Sequence, residues 1–258
     1  MSTPETDRAF TGSTPELYET YLVPLIFEPY AVDLVNRLAA RPLTRVLEIA
    51  AGTGVVTRTL AAVLPESVSI VATDLNQPML DQAAALGTRR PVAWRQADAM
   101  RLPFGDETFD AVVCQFGAMF FPEKATAFAE ARRVLGSGGV FMFNVWDRIS
   151  ENEFADTVTT ALASLFPEDP PRFLARTPYG YYDRATIERD LAGGGFTGRP
   201  RSRRLRRAVG RTLPGSRRSG TAWGHRYGTR SRHATPSGSA RQPTVRRTLS
   251  PSGSGGGR

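Results

Sequence analysis

Neither of the two histidines in this 258-residue chain lies before residue 199, and none of its 25 acidic residues lies after residue 198. The first absence removes the commonest general base from most of the chain. The second splits the chain electrostatically: residues 1–198 carry a net charge of −8 and residues 199–258 carry +16, so the overall +8 describes neither part. A single cysteine, Cys114, excludes an intramolecular disulfide and a cysteine-based metal cluster, and it fits a reducing compartment. Within "FDAVVCQF" it reads as a small core residue rather than a nucleophile. No metal is expected. No apolar run approaches membrane-spanning length, and "MSTPETDRAF" lacks a basic region followed by an apolar one. The expectation is a cytoplasmic protein without a membrane partner.

What is present is 41% apolar residues, enough for a sizeable core, arranged in a recognisable alternation. Short apolar or β-branched runs at 45–50, 68–74, 92–97, 109–116 and 138–146 are separated by helical stretches starting near Val55 and at 77–86 and 122–135, the last expected to stop at Gly136. That order predicts a doubly wound, Rossmann-like α/β core with a mostly parallel sheet. Upstream, "AVDLVNRLAA" (31–40) is amphipathic and follows the aromatic-rich "ELYETYLVPLIFEPY". Downstream, Ser150 and Glu153 form a capping box for a helix with a stripe of Phe154, Val158, Ala161, Leu162 and Leu165. A long irregular loop, "FPEDPPRFLARTPYGYYD", then leads to a short helix near 184–192. The expected organisation is lid helices over 1–40, a ligand-binding domain over 41–198 with a substrate-cover insertion at 148–182, and an arginine-rich tail over 199–258.

The stretch "VLEIAAGTGVV" (46–56) runs a fully buried type of strand into a glycine turn and a helix start, an arrangement that presents backbone N–H groups to a ligand. No Lys-Ser or Lys-Thr pair follows the turn, so it is not a nucleoside-triphosphate loop. A dinucleotide fold wants a third glycine where this chain has Thr57. Asp74 ends the second strand and Asp98 the third, and carboxyl ends around a switch point share one crevice, so Glu48, Asp74 and Asp98 should converge there. An acidic site without phosphate-binding signals suits a cationic nucleoside, and S-adenosylmethionine is such a ligand. Asp110 opens the fourth strand and reads as structural, satisfied by nearby backbone.

The segments "VLEIAAGTG", "DLNQPML", "ADAMRLPFGDETFD" and "ARRVLGSGGVF", in that order, resemble class I S-adenosylmethionine-dependent methyltransferases, particularly the branch that includes ubiquinone and menaquinone biosynthesis methyltransferases. The resemblance spans roughly residues 10–197, with Ala50 standing where the family usually has its first glycine. It implies that Glu48 and the backbone of Ala50, Gly52, Thr53 and Gly54 meet the methionine moiety. It further implies that Asp74 holds the ribose hydroxyls, Leu75 packs on adenine, Asp98 accepts from the adenine amino group, Ala99 and Met100 flank the ring, and Gln115 lies beside the sulfonium.

Methyl transfer is an in-line displacement from an activated donor, so positioning supplies much of the acceleration and a base is needed only where the acceptor must lose a proton. With no histidine before residue 199, Tyr18, Tyr21, Tyr179, Tyr181, Tyr182 or a carboxylate could serve, and the sequence does not choose among them. Taken singly, Phe27, Tyr30, Phe166 and Phe173 read as core closure; as a set they favour a small-molecule pocket for an apolar or aromatic acceptor. The charge of −8 on residues 1–198 argues against nucleic acid as their substrate.

Residues 199–258 contain no acid, isoleucine or phenylalanine, and the reading is a disordered basic segment. It is either an arm able to bind nucleic acid through phosphates, with Trp223 and Tyr227 to stack on bases, or the product of a shifted reading frame. The abrupt loss of every acid where strands are still needed favours the latter. Either way the sheet is expected to lack its last antiparallel strand pair, leaving "GVFMFNVW" as an apolar edge. The rival functions are a nucleic-acid-binding protein with a degenerate body and, weakened by Thr57, a nicotinamide-dependent oxidoreductase. The sequence leaves the oligomeric state open.

Overall fold

The structure, a computed structural model, describes residues 12, 14–196, 203–208 and 219–228. Among the described residues, seven strands form one sheet: β1 (Arg45–Ile49), β2 (Ser69–Asp74), β3 (Ala93–Gln96), β4 (Phe109–Gln115), β5 (Leu135–Trp146), β6 (Arg203–Ala208) and β7 (Ser219–Gly228), in spatial order β3-β2-β1-β4-β5-β7-β6. The first five are parallel, and β7 runs antiparallel to both β5 and β6. The expected doubly wound, mostly parallel sheet is therefore present. Alternation along each strand sends side chains to opposite faces. Val46, Ala111, Val113, Val140 and Met142 meet α2 (Glu28–Ala39) and α3 (Val55–Val63) through Leu34, Val56 and Leu60. Leu47, Val112, Phe141 and Phe143 turn the other way, toward Phe128 and Ala131 of α5 (Lys124–Val134) and Ile187 and Leu191 of α8 (Arg184–Gly193).

From Thr14 to Ala39 the chain is helical: α1 (Thr14–Leu17) passes into a wide π-type helix over Tyr18–Phe27, which continues as α2. Helix α4 (Gln77–Leu86) links β2 to β3. Asp110 behaves as expected, its Oδ2 accepting from Thr44 N at 2.6 Å, Thr44 Oγ1 at 2.7 Å and Arg45 N at 2.8 Å. These donors outweigh its partial burial and lower its pKa.

Four local expectations need correction. Helix α6 (Glu153–Leu165) starts from Asn152, not Ser150. Ser150 sits in a 3₁₀ turn over Ile149–Glu151, while the Asn152 side chain donates to Asp147 O at 3.2 Å and Arg148 O at 3.0 Å. The apolar stripe of α6 is only partly covered: Ala155 is buried, Phe154, Val158 and Leu162 are half-buried, and Ala161 and Leu165 are exposed. Gly136 does not stop α5, because β5 begins at once and the run to Gly139 is absorbed as a register shift between Phe109↔Leu135 and Ala111↔Val140. The long loop after α6 contains a short helix, α7 (Phe173–Arg176).

The largest correction concerns the C-terminal strands. The last antiparallel pair is not missing, and β5 is no exposed edge, since β7 pairs with it from Val140↔Gly228 to Trp146↔Ala222. Charge density misled the reading because it averaged over the whole segment, whereas β7 itself carries a single arginine, Arg226. Ala222, Gly224, His225 and Tyr227 are buried, and the His225 and Tyr227 rings lie 4.9 and 6.3 Å from the Phe143 ring. Tyr227 also meets Phe196 at 5.7 Å. The more arginine-dense β6 takes the outer position. The expected disorder over 199–258 falls, at 199–202, 209–218 and 229–258, outside the described residues.

His225 is completely buried, and burial together with the charges of Arg184 and Arg37 pushes its pKa down to about 4. The unfolded chain titrates near 6.5, so this residue's contribution is full above that pH and lost as pH falls toward 4. The loss is on the order of 3 kcal/mol. Replacing His225 with Phe should flatten the acid limb of stability measured by urea unfolding between pH 7 and 4.5. An unchanged difference between the two pH values would exclude His225 as its source.

Candidate active site

After β1 the chain makes a turn with three left-handed residues, Ala50 (φ 54°), Gly52 (φ 57°) and Gly54 (φ 83°). Two are glycines, which adopt this region freely; Ala50 is not. Facing it, the turn after β4 places Phe116 at φ 52° and Gly117 so close that a Cβ on Gly117 would lie 2.4 Å from Ala50 Cβ and 2.9 Å from Cys114 Sγ. The β1 and β4 turns thus interlock, with Ala50 filling the space that a second methyl group would need.

Carboxylates line this turn. Asp74 Oδ2 accepts from Gly52 N at 2.8 Å and its Oδ1 from Asn76 N at 2.8 Å. Burial raises the Asp74 pKa, and these backbone donors oppose the rise. Glu48 is 1% exposed and accepts from the Thr57 hydroxyl. Burial pushes its pKa up to about 8; Thr57 and Arg58 oppose this and the Asp74 charge adds to it. Asp98 Oδ1 accepts from Met100 N at 2.9 Å. Gln115 donates to Phe27 O at 3.2 Å and accepts from Asn144 Nδ2 at 3.4 Å, and Arg37 donates to Asn144 Oδ1 at 3.3 Å.

These groups border a cavity of about 240 Å³. Of the residues singled out from sequence, Glu48, Ala50, Gly52, Thr53, Asp74, Leu75, Asp98, Ala99, Gln115, Tyr18 and Tyr179 line it. Gly54 lies behind it, where a Cβ would come 2.9 Å from the Trp94 ring. Met100 packs against the core instead. Three tyrosines stand apart from the lining. Tyr21 is 64% exposed, and Tyr182 is 37% exposed. The Tyr181 hydroxyl donates to Asp190 at 2.8 Å while Lys124 Nζ sits 4.8 Å from its ring centroid. No lysine, arginine or histidine is among the described residues that line the cavity. Beyond Gln115 the wall is aromatic, with Phe116 stacked on Trp146 at 3.9 Å and 8°, and Phe27 and Leu22 of the π-type helix cover it. Among the described residues, no group of His, Cys, Asp or Glu could hold a metal ion, and no helix is long and apolar enough to cross a membrane.

Sequence reasoning missed Glu19. From the π-type helix its Oε2 accepts from Thr53 Oγ1 at 2.5 Å and its Oε1 from Arg58 at 2.5 Å, and Arg58 also donates to Thr53 O at 2.6 Å. The N-terminal cover is thereby tied to the glycine turn. Thr57 was visible only as an absent glycine, although its hydroxyl holds Glu48. Nothing in a single sequence pairs Glu19 with Arg58 across 39 positions.

A parallel sheet with a glycine turn, and an acidic crevice at the carboxyl ends of β1, β2 and β3, define a Rossmann-like fold that binds nucleosides. Residues 47–143 match the family model described as a methyltransferase domain. The chain is 31% identical over 169 residues to the ubiquinone/menaquinone biosynthesis C-methyltransferase of Ectopseudomonas mendocina, covering 60% of this chain and 66% of that protein. It is 30% identical over 184 residues to that of Teredinibacter turnerae, covering 66% and 73%. Two solved structures share the fold: S-adenosylmethionine-dependent methyltransferases from Thermotoga maritima (TM-score 0.60, 18% identity, 84% of this chain and 97% of that one) and Aquifex aeolicus (0.55, 16%, 83% and 97%). The chain belongs to the S-adenosylmethionine-dependent methyltransferase family.

Two outcomes follow from this geometry. Gly117→Ala should destabilise the protein by about 1–3 kcal/mol through overpacking, and Ala50→Gly in the same chain should recover part of that loss. Strictly additive unfolding free energies would show that the two turns do not interlock. Glu19→Gln should speed release of bound S-adenosylhomocysteine several-fold in stopped-flow measurements, since a charge-assisted tie on the cover becomes a neutral one. An unchanged release rate would rule out the tie as a brake on exit.

Proposed function

We propose that the protein transfers a methyl group from S-adenosylmethionine to a small, uncharged, largely apolar acceptor lodged beyond Gln115. The observation that carries this reading is the division of one cavity into an acidic wall without a basic side chain and an aromatic wall without a charge. The fit of the cofactor rests on the donor set. Asp74 and Asp98, joined by Glu48 once a bound cation draws off its proton, favour a cation, and the lack of lysine or arginine disfavours a pyrophosphate. Asp74 Oδ2 takes the Gly52 N–H and retains a lone pair for a hydroxyl, while Oδ1 takes Asn76 N at 2.8 Å and Asn76 Nδ2 at 3.4 Å.

On this reading Asp74 holds the ribose hydroxyls, Leu75 and Ala99 pack on adenine with Met100 behind, and Asp98 accepts from its amino group. Glu48 and the backbone from Ala50 to Gly54 hold the methionine moiety, and Gln115 lies beside the sulfonium. When bound, the cofactor supplies a methyl group already activated for displacement. The chain's own part is to orient the acceptor and exclude water, with residues 1–40 as the lid and 148–182 as the substrate cover. No residue is assigned as base, and an acceptor that is nucleophilic without one suits a cavity whose carboxylates all belong to the cofactor wall.

Calorimetric titration tests this. S-adenosylmethionine and S-adenosylhomocysteine should bind one per chain and NAD should not. Asp74→Ala should weaken binding by roughly 10- to 1000-fold, because hydrogen bonds to a charged group contribute about 1.5–3 kcal/mol each. Tighter binding of NAD, or unchanged affinity in a folded Asp74→Ala variant, would refute the assignment.

A further inference from the structure

We propose that Tyr179 reads the acceptor: its hydroxyl donates a hydrogen bond to an oxygen of an uncharged molecule packed against the aromatic wall of Phe116 and Trp146. The inference rests on the methyl-transfer reading above and deepens it by selecting one tyrosine of five and giving it a chemical task.

Tyr179 is 6% exposed, borders the cavity, and is not among the side chains whose polar atoms are sealed in the core without a partner. No hydrogen bond joins its hydroxyl to the described residues, and the side chain borders the cavity. The other four tyrosines are placed differently: Tyr181 is spent on Asp190, Tyr21 and Tyr182 are exposed, and Tyr18, which also lines the cavity, lies near Gly52 at the cofactor wall and away from Trp146.

The ring is held from several sides. Tyr179 N donates to Leu174 O at 2.9 Å and Gly180 N to Thr177 O at 3.3 Å, closing a tight turn after α7. A Cβ on Gly180 would fall 2.1 Å from Arg176 O, so only glycine fits there. The Tyr179 ring tilts at 32° against Trp146 with centroids 5.6 Å apart, and Trp146 lies flat on Phe116. Phe116 is itself kept at a positive φ that bulky residues avoid, with Tyr30 edge-on at 5.2 Å. Burial holds the Tyr179 phenol above its ordinary pKa, so it stays protonated and acts as a donor, not a base.

Chemistry then restricts the ligand. Glu48, Asp74 and Asp98 all stand at the carboxyl ends of β1 to β3, which leaves the wall of Phe116, Trp146 and Tyr179 without a charge to pair with a charged acceptor. One donor on an apolar surface favours an apolar body with a single carbonyl, ether or hydroxyl oxygen at its edge.

The test uses the full chain saturated with S-adenosylhomocysteine and two neutral probes, 1-tetralone and tetralin, which share a bicyclic body and differ by one carbonyl oxygen. Calorimetry should show tetralone binding about 2- to 10-fold tighter, the range one net hydrogen bond supplies. In Tyr179→Phe the preference should vanish, with affinities for tetralin and S-adenosylhomocysteine unchanged, which also reports that the variant is folded. A preference that survives in Tyr179→Phe, or no preference in the wild type, would overturn the inference while leaving the methyl-transfer reading intact, as would binding of neither probe. Failure of the wild type to bind S-adenosylhomocysteine would sink that reading and this inference with it.

Discussion

The hydrogen bond from Gly52 N to Asp74 Oδ2 joins the ends of two neighbouring parallel strands, and most of the site's geometry depends on it. A second tie, Ala51 N to Thr73 O at 2.9 Å, runs alongside. Together they fold the turn after β1 back across the end of β2, so that backbone amides and a buried carboxylate face the same crevice. Asp74 must be ionised to hold two backbone donors well, yet its burial disfavours that charge. On the proposed reading a cationic nucleoside would relieve the conflict, its positive charge offsetting the buried negative charge and a hydroxyl taking the lone pair left on Oδ2. Glu48 carries the same tension more strongly. The crevice is thus electrostatically poised for a cation.

The cover above the crevice is coupled to the same turn. Glu19 reaches down to Thr53 and Arg58, so the π-type helix that presents Tyr18, Leu22 and Phe27 cannot lift without disturbing the residues that bracket Gly54. On the far side, Gln115 links Phe27 to Asn144 of β5, which ties the cover to the centre of the sheet as well.

The mostly parallel sheet and its acidic residues were legible because they are written locally: buried strands as apolar runs, the glycine turn as a motif, Asp74 and Asp98 as strand-end carboxylates. What was not legible depends on distant pairing. β6 and β7 lack the composition of core strands, and their place follows from the register that sets His225 and Tyr227 against Phe143, a relation spanning more than eighty residues of chain. The missed cap at Asn152 is a smaller instance: Ser150 and Glu153 matched a capping pattern, but contacts from Asn152 to Asp147 and Arg148 decided where the helix begins. Among the tyrosines, sequence could nominate five; Tyr179 and Tyr181 are equally buried, and only the cavity lining and the Tyr181–Asp190 hydrogen bond separate them.

The central claim is that the crevice framed by Gly52 and Asp74 holds an S-adenosyl group in the orientation the strand ends impose. A crystal structure of the full chain with S-adenosylhomocysteine tests it most directly. The account predicts the ribose hydroxyls on Asp74, the adenine between Leu75 and Ala99, and the sulfur beside Gln115, with the Gly52–Asp74 hydrogen bond retained. A ligand bound elsewhere, or one that breaks that hydrogen bond and leaves Asp74 without a ribose contact, would contradict it.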